Sequence, residues 1–246
     1  MSSESNTYFE WNIFGRIIKF EPKSTLGCFL LLLPCCGLLL ILLYLLANIY
    51  LILFKTVESG LGISAGVEIL IWMTAIFCAN VTIPLNWHPT SVCLNITGGL
   101  IPTILALYQF SRVEATAIFV VLAIVATISF CSVVVIPGVG IFSRHGILTI
   151  TSLVAALCSI WIVPETDRVG VAFAGSVLGS LIGADLLHLK DLQLDTSPTP
   201  ISIGGAGMDD GIVQCGLSAL MFAEYFPQLV PVLTNVARLF GFTLHF

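Results

Sequence analysis

The sequence predicts an all-α, polytopic membrane protein with about seven transmembrane helices, and two observations carry this prediction. Of the 246 residues, 57% are apolar and only 9% are charged, which is unlike the composition of soluble domains. Most of the apolar runs reach the ~20 helical residues that cross a ~30 Å hydrocarbon core. They also lack the residue-by-residue alternation of an outer-membrane barrel. We therefore expect a helical bundle whose main partner is the lipid bilayer.

Charge and cysteine content narrow the class of function. Nine basic and fourteen acidic residues give a net charge of -5, and they are scattered in short loops with no basic run suited to nucleic acid. The eight cysteines lie in or beside apolar segments without a C-x-x-C pair. Such cysteines are typical of reduced packing residues. We expect no nucleic acid partner, no metal and no cofactor.

The predicted spans lie between two interfacial ends of the chain. Residues 1–25 are expected to be a cytoplasmic segment with a short amphipathic helix over 11–20, and residues 227–246 an interfacial tail. Arg16, Lys19 and Lys23 precede the first span, so the positive-inside rule places the N-terminus in the cytoplasm. Between the two ends, 26–226 form one transmembrane domain. Its predicted spans are 26–54, 63–85, 91–110, 115–136, 147–163, 170–187 and 201–226.

Acidic residues enter the last two predicted spans. Asp185 lies in the sixth span, and Asp209 and Asp210 lie in the seventh. A carboxylate at membrane depth is costly unless it is protonated, paired or facing a wet cavity, so such a residue indicates a functional site. Asp210, Gln214 and Ser218 share one helix face at spacings of four, whereas Asp209 is rotated ~100° from it. Asp210 is therefore favoured over Asp209.

Glycines precede these aspartates. Gly204, Gly205 and Gly207 disfavour regular helix, so the backbone there is expected to be open, with N–H groups able to meet a ligand. The alternative interpretation is a glycine-rich helix start that is capped by the carboxylates. Both interpretations stay open at this point.

Small and polar residues mark how the spans pack. Gly175, Gly179 and Gly183 recur every four residues, which predicts close helix packing and directs Asp185 into the bundle. His188 shares a helix face with Asp185, but we expect it at the membrane interface and not as a metal ligand.

Two asparagines recur in similar sequence. Asn80 in NVTIP and Asn95 in NIT lie in apolar sequence, where we reject glycosylation. They are interpreted as interhelical hydrogen-bonding residues, or alternatively as the lining of a solute or substrate cavity.

Four sequence blocks carry a family resemblance. NVTIPL (80–85), LNITGGLIPTILALY (94–108), LGSLIGADLLHLKDL (178–192) and SIGGAGMDDGI (202–212) resemble the conserved blocks of a bacterial and archaeal family of multi-spanning membrane proteins, catalogued only as a domain of unknown function. The resemblance covers roughly residues 62–225. It implies a prokaryotic inner or plasma membrane and an acidic position at Asp210, but it implies no activity.

A looser resemblance concerns the two aspartates. Two aspartates on consecutive spans, the second behind a glycine-rich stretch, look like intramembrane aspartyl proteases of the presenilin and signal-peptide-peptidase type. The sequence departs from that pattern, because no tyrosine precedes Asp185, Gly207 stands three residues before Asp210, and no Pro-Ala-Leu element follows. The likeness is therefore an analogy.

Three functions follow as hypotheses. In the first, Asp185 and Asp210 are a catalytic pair that activates water to hydrolyse a transmembrane peptide. In the second, the chain is an ion- or proton-coupled carrier for a small solute, with both asparagines and both aspartates lining one cavity. In the third, it is a non-catalytic subunit of a membrane complex. The residues expected to contact substrate are Gly204, Gly205, Gly207, Asn80, Asn95 and Gln214.

Overall fold

The computed structural model describes residues 9–13, 16–20, 25–85, 92–136, 140–142, 145–189, 191 and 201–239. The described residues form mostly helix. The helices are α1 (Thr25–Leu61), α2 (Ala65–Phe77), α3 (Ile101–Gln109), α4 (Ala115–Ser132), α5 (His145–Ile162), α6 (Glu165–Ser180) and α7 (Gly211–Leu239). The strands are β1 (Phe9–Ile13), β2 (Arg16–Phe20), β3 (Thr82–Pro84), β4 (Val92–Asn95), β5 (Val134–Ile136), β6 (Gly140–Phe142) and β7 (Ile201–Ile203).

Helix length and composition support a membrane protein. Three helices are long and apolar enough to cross a bilayer, namely Cys35–Leu61, Ala115–Ser132 and Glu165–Leu186. Three further apolar helices are shorter, namely Ala65–Phe77, Ile96–Gln109 and Gly146–Ile162. The helical class is thus confirmed, whereas the described residues give helices that are both long and apolar enough to span for three of the seven predicted spans.

The N-terminal unit differs from the prediction. The chain divides into two compact units, 1–52 and 53–246, and the first contains β1, β2 and the first part of α1. The predicted interfacial helix over 11–20 is wrong, because β1 and β2 pair as an antiparallel hairpin with Trp11 opposite Ile18 and Glu10 opposite Lys19. The sequence FEWNI alternates apolar and polar residues, and a period of two favours a strand over a helix.

Several predicted spans are broken by strands. Helix α2 ends at Phe77, and the chain then turns into β3, so the predicted helix over 63–85 is interrupted. Pro84 explains part of this, since the residue before a proline favours extended backbone. The third and seventh predicted spans begin as β4 and β7. Strand β4 pairs antiparallel with β3 and parallel with β7, which gives a three-stranded sheet in the order β3-β4-β7.

Helix α6 lies at the centre of the second unit. It packs against α3, α4, α5 and α7. The predicted close packing of its glycine face is confirmed, because a Cβ at Gly179 would lie 2.6 Å from Val125 and one at Gly183 would lie 2.3 Å from the carbonyl oxygen of Ala126. Only glycine at these positions lets the chain of α6 and the turn after it approach α4 this closely.

The last helix extends beyond its predicted end. Helix α7 continues through Pro227 and Pro231 to Leu239, so no helix ends at the predicted boundary between 226 and 227. Each proline removes one backbone donor, yet neither ends the helix. Residues 227–239 of the predicted tail are therefore the continuation of α7, and residues 240–246 lie outside the described residues.

Candidate functional site

Two segments of the chain share one architecture. In the first, β4 leads through a π-helical turn, Ile96–Leu100, into α3. In the second, β7 leads through a 3-10 turn, Gly207–Asp209, into α7. Strands β4 and β7 pair in parallel, with Leu94 opposite Ile203. The two segments therefore leave the sheet at the same end of their strands and enter their turns side by side.

Four glycines bring the two turns together, and we call Gly98, Gly99, Gly204 and Gly207 the glycine junction. A Cβ at Gly98 would lie 2.1 Å from the carbonyl oxygen of Gly204 and 2.7 Å from that of Gly207. Gly204 and Gly207 have φ of 71° and 63°, in the left-handed region that side chains disfavour. The predicted departure from helix is confirmed, and the junction has no room for a side chain at Gly98.

Asn95 ties the first segment to the end of α2. Its side chain is buried, its Oδ1 accepts hydrogen bonds from the N–H groups of Thr97 (2.8 Å) and Gly98 (2.9 Å), and its Nδ2 donates to the carbonyl of Ala79 (2.9 Å). Asn95 thus forms hydrogen bonds between two segments, but the bond is not interhelical as interpreted, because Asn95 lies in β4 and Ala79 in the turn after α2. Asn80 instead is exposed in the turn after α2.

Asp210 begins the last helix. It has extended backbone, its Oδ1 accepts from the N–H of Ile212 (3.0 Å), and its Oδ2 accepts from the N–H of Ala206 (3.4 Å). This geometry is the capped helix start that was the alternative interpretation. The predicted stripe is wrong at its first member, because Asp210 precedes the helix that carries Gln214.

The remaining residues of the second turn are largely occupied or exposed. The N–H of Gly207 donates to Gly204 (3.0 Å), so it is not free for a ligand. Gly205 and Asp209 are exposed. The Nε2 of Gln214 donates to the backbone carbonyl of Asp209 (3.1 Å), which braces the turn against α7.

Asp185 lies within electrostatic range of Asp210. It is partly buried in a second π-helical turn, Leu181–Leu186, which continues α6. Asp210 is the charged group that acts on it. In the described part of the chain no hydrogen bond joins the two carboxyl groups. Asp185 therefore lies on a π-helical turn, a type that is frequent at functional sites, and within electrostatic range of Asp210, which follows a 3-10 turn.

His188 closes the end of this turn. Its Nδ1 lies 3.1 Å from the carbonyl oxygens of Gly183 and Ala184, and its ring lies 4.7 Å from that of Phe130. The side chain is buried within the protein, and its position at the membrane interface stays a prediction. Carbonyls left free by the wider π-helical turn explain the position of its ring.

A cavity beside the glycine junction was missed by sequence reasoning. Its volume is about 70 Å³, and its lining includes Thr97 of the first turn, Met208 of the second, Phe173 of α6, and Glu68 and Trp72 of α2. Among the described residues, none of the eight predicted site residues lines it. The sequence feature that could have indicated this cavity is Glu68, an acidic residue four positions before Trp72 in a mainly apolar helix.

Glu68 is the charged residue of this cavity. It is fully buried, its Oε1 accepts a hydrogen bond from the indole Nε1 of Trp72 (3.2 Å), and its Oε2 has no hydrogen-bond partner among the described residues. Such an unpaired buried oxygen is rare in folded proteins and calls for a ligand or another explanation.

The comparisons with known proteins give a family. The model of a family described as "Protein of unknown function (DUF1614)" matches residues 68–222, more than half of the chain. The chain belongs to the DUF1614 family. The resemblance to an uncharacterised family is thus confirmed, and the DUF1614 region begins at Glu68 and contains the first strand–turn–helix segment and the second as far as residue 222. No curated protein and no solved structure matches the chain, and the comparisons give no link to presenilin-type proteases.

Proposed function

We propose that this DUF1614 protein is a multi-pass carrier for a small solute, with its N-terminus in the cytoplasm and its solute site in the Glu68 cavity. The observation that carries the proposal is that both glycine-rich turns border this cavity, through Thr97 and Met208. Carriers bind solutes where helices are interrupted near the middle of the membrane. This site replaces the cavity expected between Asn80, Asn95, Asp185 and Asp210.

Helix length supports the proposal. Helix α2 has 13 residues, and the first turn with α3 has five plus nine, so each is about 20 Å long, whereas the hydrocarbon core is ~30 Å thick. Interrupted backbone is tolerated at membrane depth where protein buries it or where it lines a cavity. The glycine junction is buried by protein, and the two turns line the Glu68 cavity.

The aspartate pair supplies a coupling site. Asp185 and Asp210 interact electrostatically, so a proton or cation bound between them relieves repulsion. A protonated carboxyl oxygen turns from acceptor into donor, and at Asp210 that change weakens the bonds from Ala206 or Ile212. These bonds hold the turn that contains Met208, so protonation at the pair changes one wall of the solute cavity.

Proton movement in reconstituted vesicles tests the carrier. Purified protein is placed in liposomes that contain a pH-sensitive dye, and small cations, anions and zwitterions are added outside in turn. We expect at least one solute to drive a proton flux that Asp210→Asn abolishes. An unchanged solute-driven flux in Asp210→Asn contradicts the coupling, and the absence of flux with every solute contradicts the carrier.

Hydrolysis within the membrane is a second candidate, favoured by the electrostatic interaction of Asp185 with Asp210. A carboxylate has about four lone-pair positions, so Asp210 can accept its two N–H bonds and still contact a water molecule. In this case the protein cleaves a fluorogenic transmembrane peptide in detergent, and both Asp185→Asn and Asp210→Asn abolish cleavage. Cleavage that persists in either variant excludes the pair as the catalytic group.

A further inference from the structure

The Oε2 atom of the buried Glu68 carboxyl group lacks a hydrogen-bond partner among the described residues in either protonation state. As a carboxylate it leaves a charged oxygen unpaired in an apolar cavity, which is unfavourable. As a neutral acid, Oε2–H would have no acceptor, since this oxygen has no hydrogen-bond partner among the described residues. The charge that acts on Glu68 is Glu58, which has the same sign. The ion pair found in the described part of the chain, Arg168 with Glu165, does not involve Glu68.

The walls of the cavity select the class of ligand. Inorganic cations such as Ca²⁺ or Mg²⁺ need about six oxygen ligands. In this lining the side-chain oxygens belong to Glu68 and Thr97, which are too few. The Thr97 hydroxyl also donates a hydrogen bond to the carbonyl of Ala75 (3.1 Å). The other walls are apolar or aromatic, and they include the indole of Trp72. An aromatic ring beside a carboxylate attracts an organic ammonium group, and the indole Nε1 of Trp72 lies 3.2 Å from Oε1 of Glu68.

The volume limits the size of the ligand. A volume of about 70 Å³ exceeds the ~10–15 Å³ that one water molecule needs on the same measure, so the cavity admits a group of a few heavy atoms. We infer that the Glu68 cavity binds a small alkylammonium ion such as methylammonium or ethylammonium, with the Glu68 carboxylate as its counter-ion and the Trp72 indole beside the charged nitrogen. This inference names the substrate class of the proposed carrier and rests on that proposal.

Equilibrium binding tests the site without any transport step. Wild-type protein in detergent is titrated with ethylammonium chloride by calorimetry, with sodium chloride at equal ionic strength as the reference. We expect saturable binding of ethylammonium and none of sodium or of the larger tetraethylammonium. Binding of sodium with equal affinity, or no binding of ethylammonium, overturns the inference.

Two variants locate the binding. Glu68→Gln keeps the size and an acceptor for the Trp72 N–H but removes the charge, and we expect at least a tenfold loss of affinity. Ala75→Leu keeps Glu68 and fills the cavity, with a similar loss. Glu165→Gln removes an exposed glutamate and is the matched control with unchanged affinity. Melting temperatures verify folding, and wild-type affinity in folded Glu68→Gln contradicts the assignment.

The outcomes separate this inference from the carrier proposal. If ethylammonium binds through Glu68 but neither it nor any other solute drives a flux in vesicles, the site stands and the carrier fails. If another solute drives a proton flux while ethylammonium does not bind, the carrier stands and the substrate class is wrong.

Discussion

The two strand–turn–helix segments use different residues for the same task. Asn95 closes the first turn from a buried position, where it accepts two N–H groups and donates to the Ala79 carbonyl. Asp210 closes the second turn from a partly exposed position, where its carboxylate accepts hydrogen bonds from backbone N–H groups. It also interacts electrostatically with Asp185. An amide satisfies a buried site that needs a donor and an acceptor, whereas a carboxylate suits a helix start that offers donors alone.

The largest expected effect breaks the contact between the two segments. Gly98→Ala places a Cβ 2.1 Å from the carbonyl oxygen of Gly204, and because backbone must move on both sides we expect a loss of about 3 kcal/mol. Thermal unfolding of the purified protein in detergent measures it. Gly66→Ala is the matched control, since nothing lies within 4 Å of the added Cβ and alanine favours helix. Equal melting temperatures of the two variants would show that the junction is not tightly packed.

The next largest effect is expected when Asn95, which closes the first turn, is replaced by aspartate, the residue that closes the second. Asn95→Asp keeps the shape but loses the Nδ2 donor and sets a carboxylate oxygen against the Ala79 carbonyl, so we expect a loss of about 2 to 3 kcal/mol. Asn80→Asp, at an exposed position, should change the unfolding free energy by less than about 0.5 kcal/mol. If both asparagines tolerate aspartate alike, the burial of Asn95 does not decide its identity.

A smaller effect is expected at Asp210. Asp210→Ala removes both N–H acceptors and should cost about 1 kcal/mol, typical of a lost helix cap. Asp210→Asn keeps one acceptor oxygen and should cost less. Chemical or thermal unfolding of both variants measures these losses. A loss of about 3 to 5 kcal/mol in Asp210→Asn would indicate that Asp210 pairs with a buried charge and does not act as a helix cap.

The smallest effect concerns the neighbouring aspartate. Asp209 is exposed, and Gln214 contacts its backbone oxygen and not its side chain. Asp209→Ala should therefore leave the melting temperature and the vesicle flux close to those of wild type, within about 0.5 kcal/mol of stability. A strong loss of flux in this variant would move the coupling role from Asp210 to Asp209.

Particular residues show what the sequence can predict. The spacing of Gly175, Gly179 and Gly183 predicted the close packing of α6, because a repeat of four depends on the helix alone. The glycines before Asp210 predicted a break in the helix for a similarly local reason. The broken second span was missed, since hydropathy does not distinguish a short apolar strand from a helix.

Other features depend on tertiary structure. Glu68 stands in the first turn of α2, where an acidic residue normally complements the helix dipole. Its unpaired oxygen follows from the packing of α1, α3, α6 and α7 around the cavity, which no local pattern records. The proximity of Asp185 and Asp210 likewise depends on how α6 and α7 pack, although their presence in apolar sequence indicated a site.

The central place of α6 has a consequence for the order of synthesis. This helix is enclosed only when α3, α4, α5 and α7 surround it, and it is the least apolar of the three helices long enough to cross a bilayer. Three of these partners precede α6 in the chain, and α7 follows after residue 200. A nascent chain that pauses after α6 thus exposes one uncovered side of this helix, and α7 completes its enclosure as it leaves the ribosome.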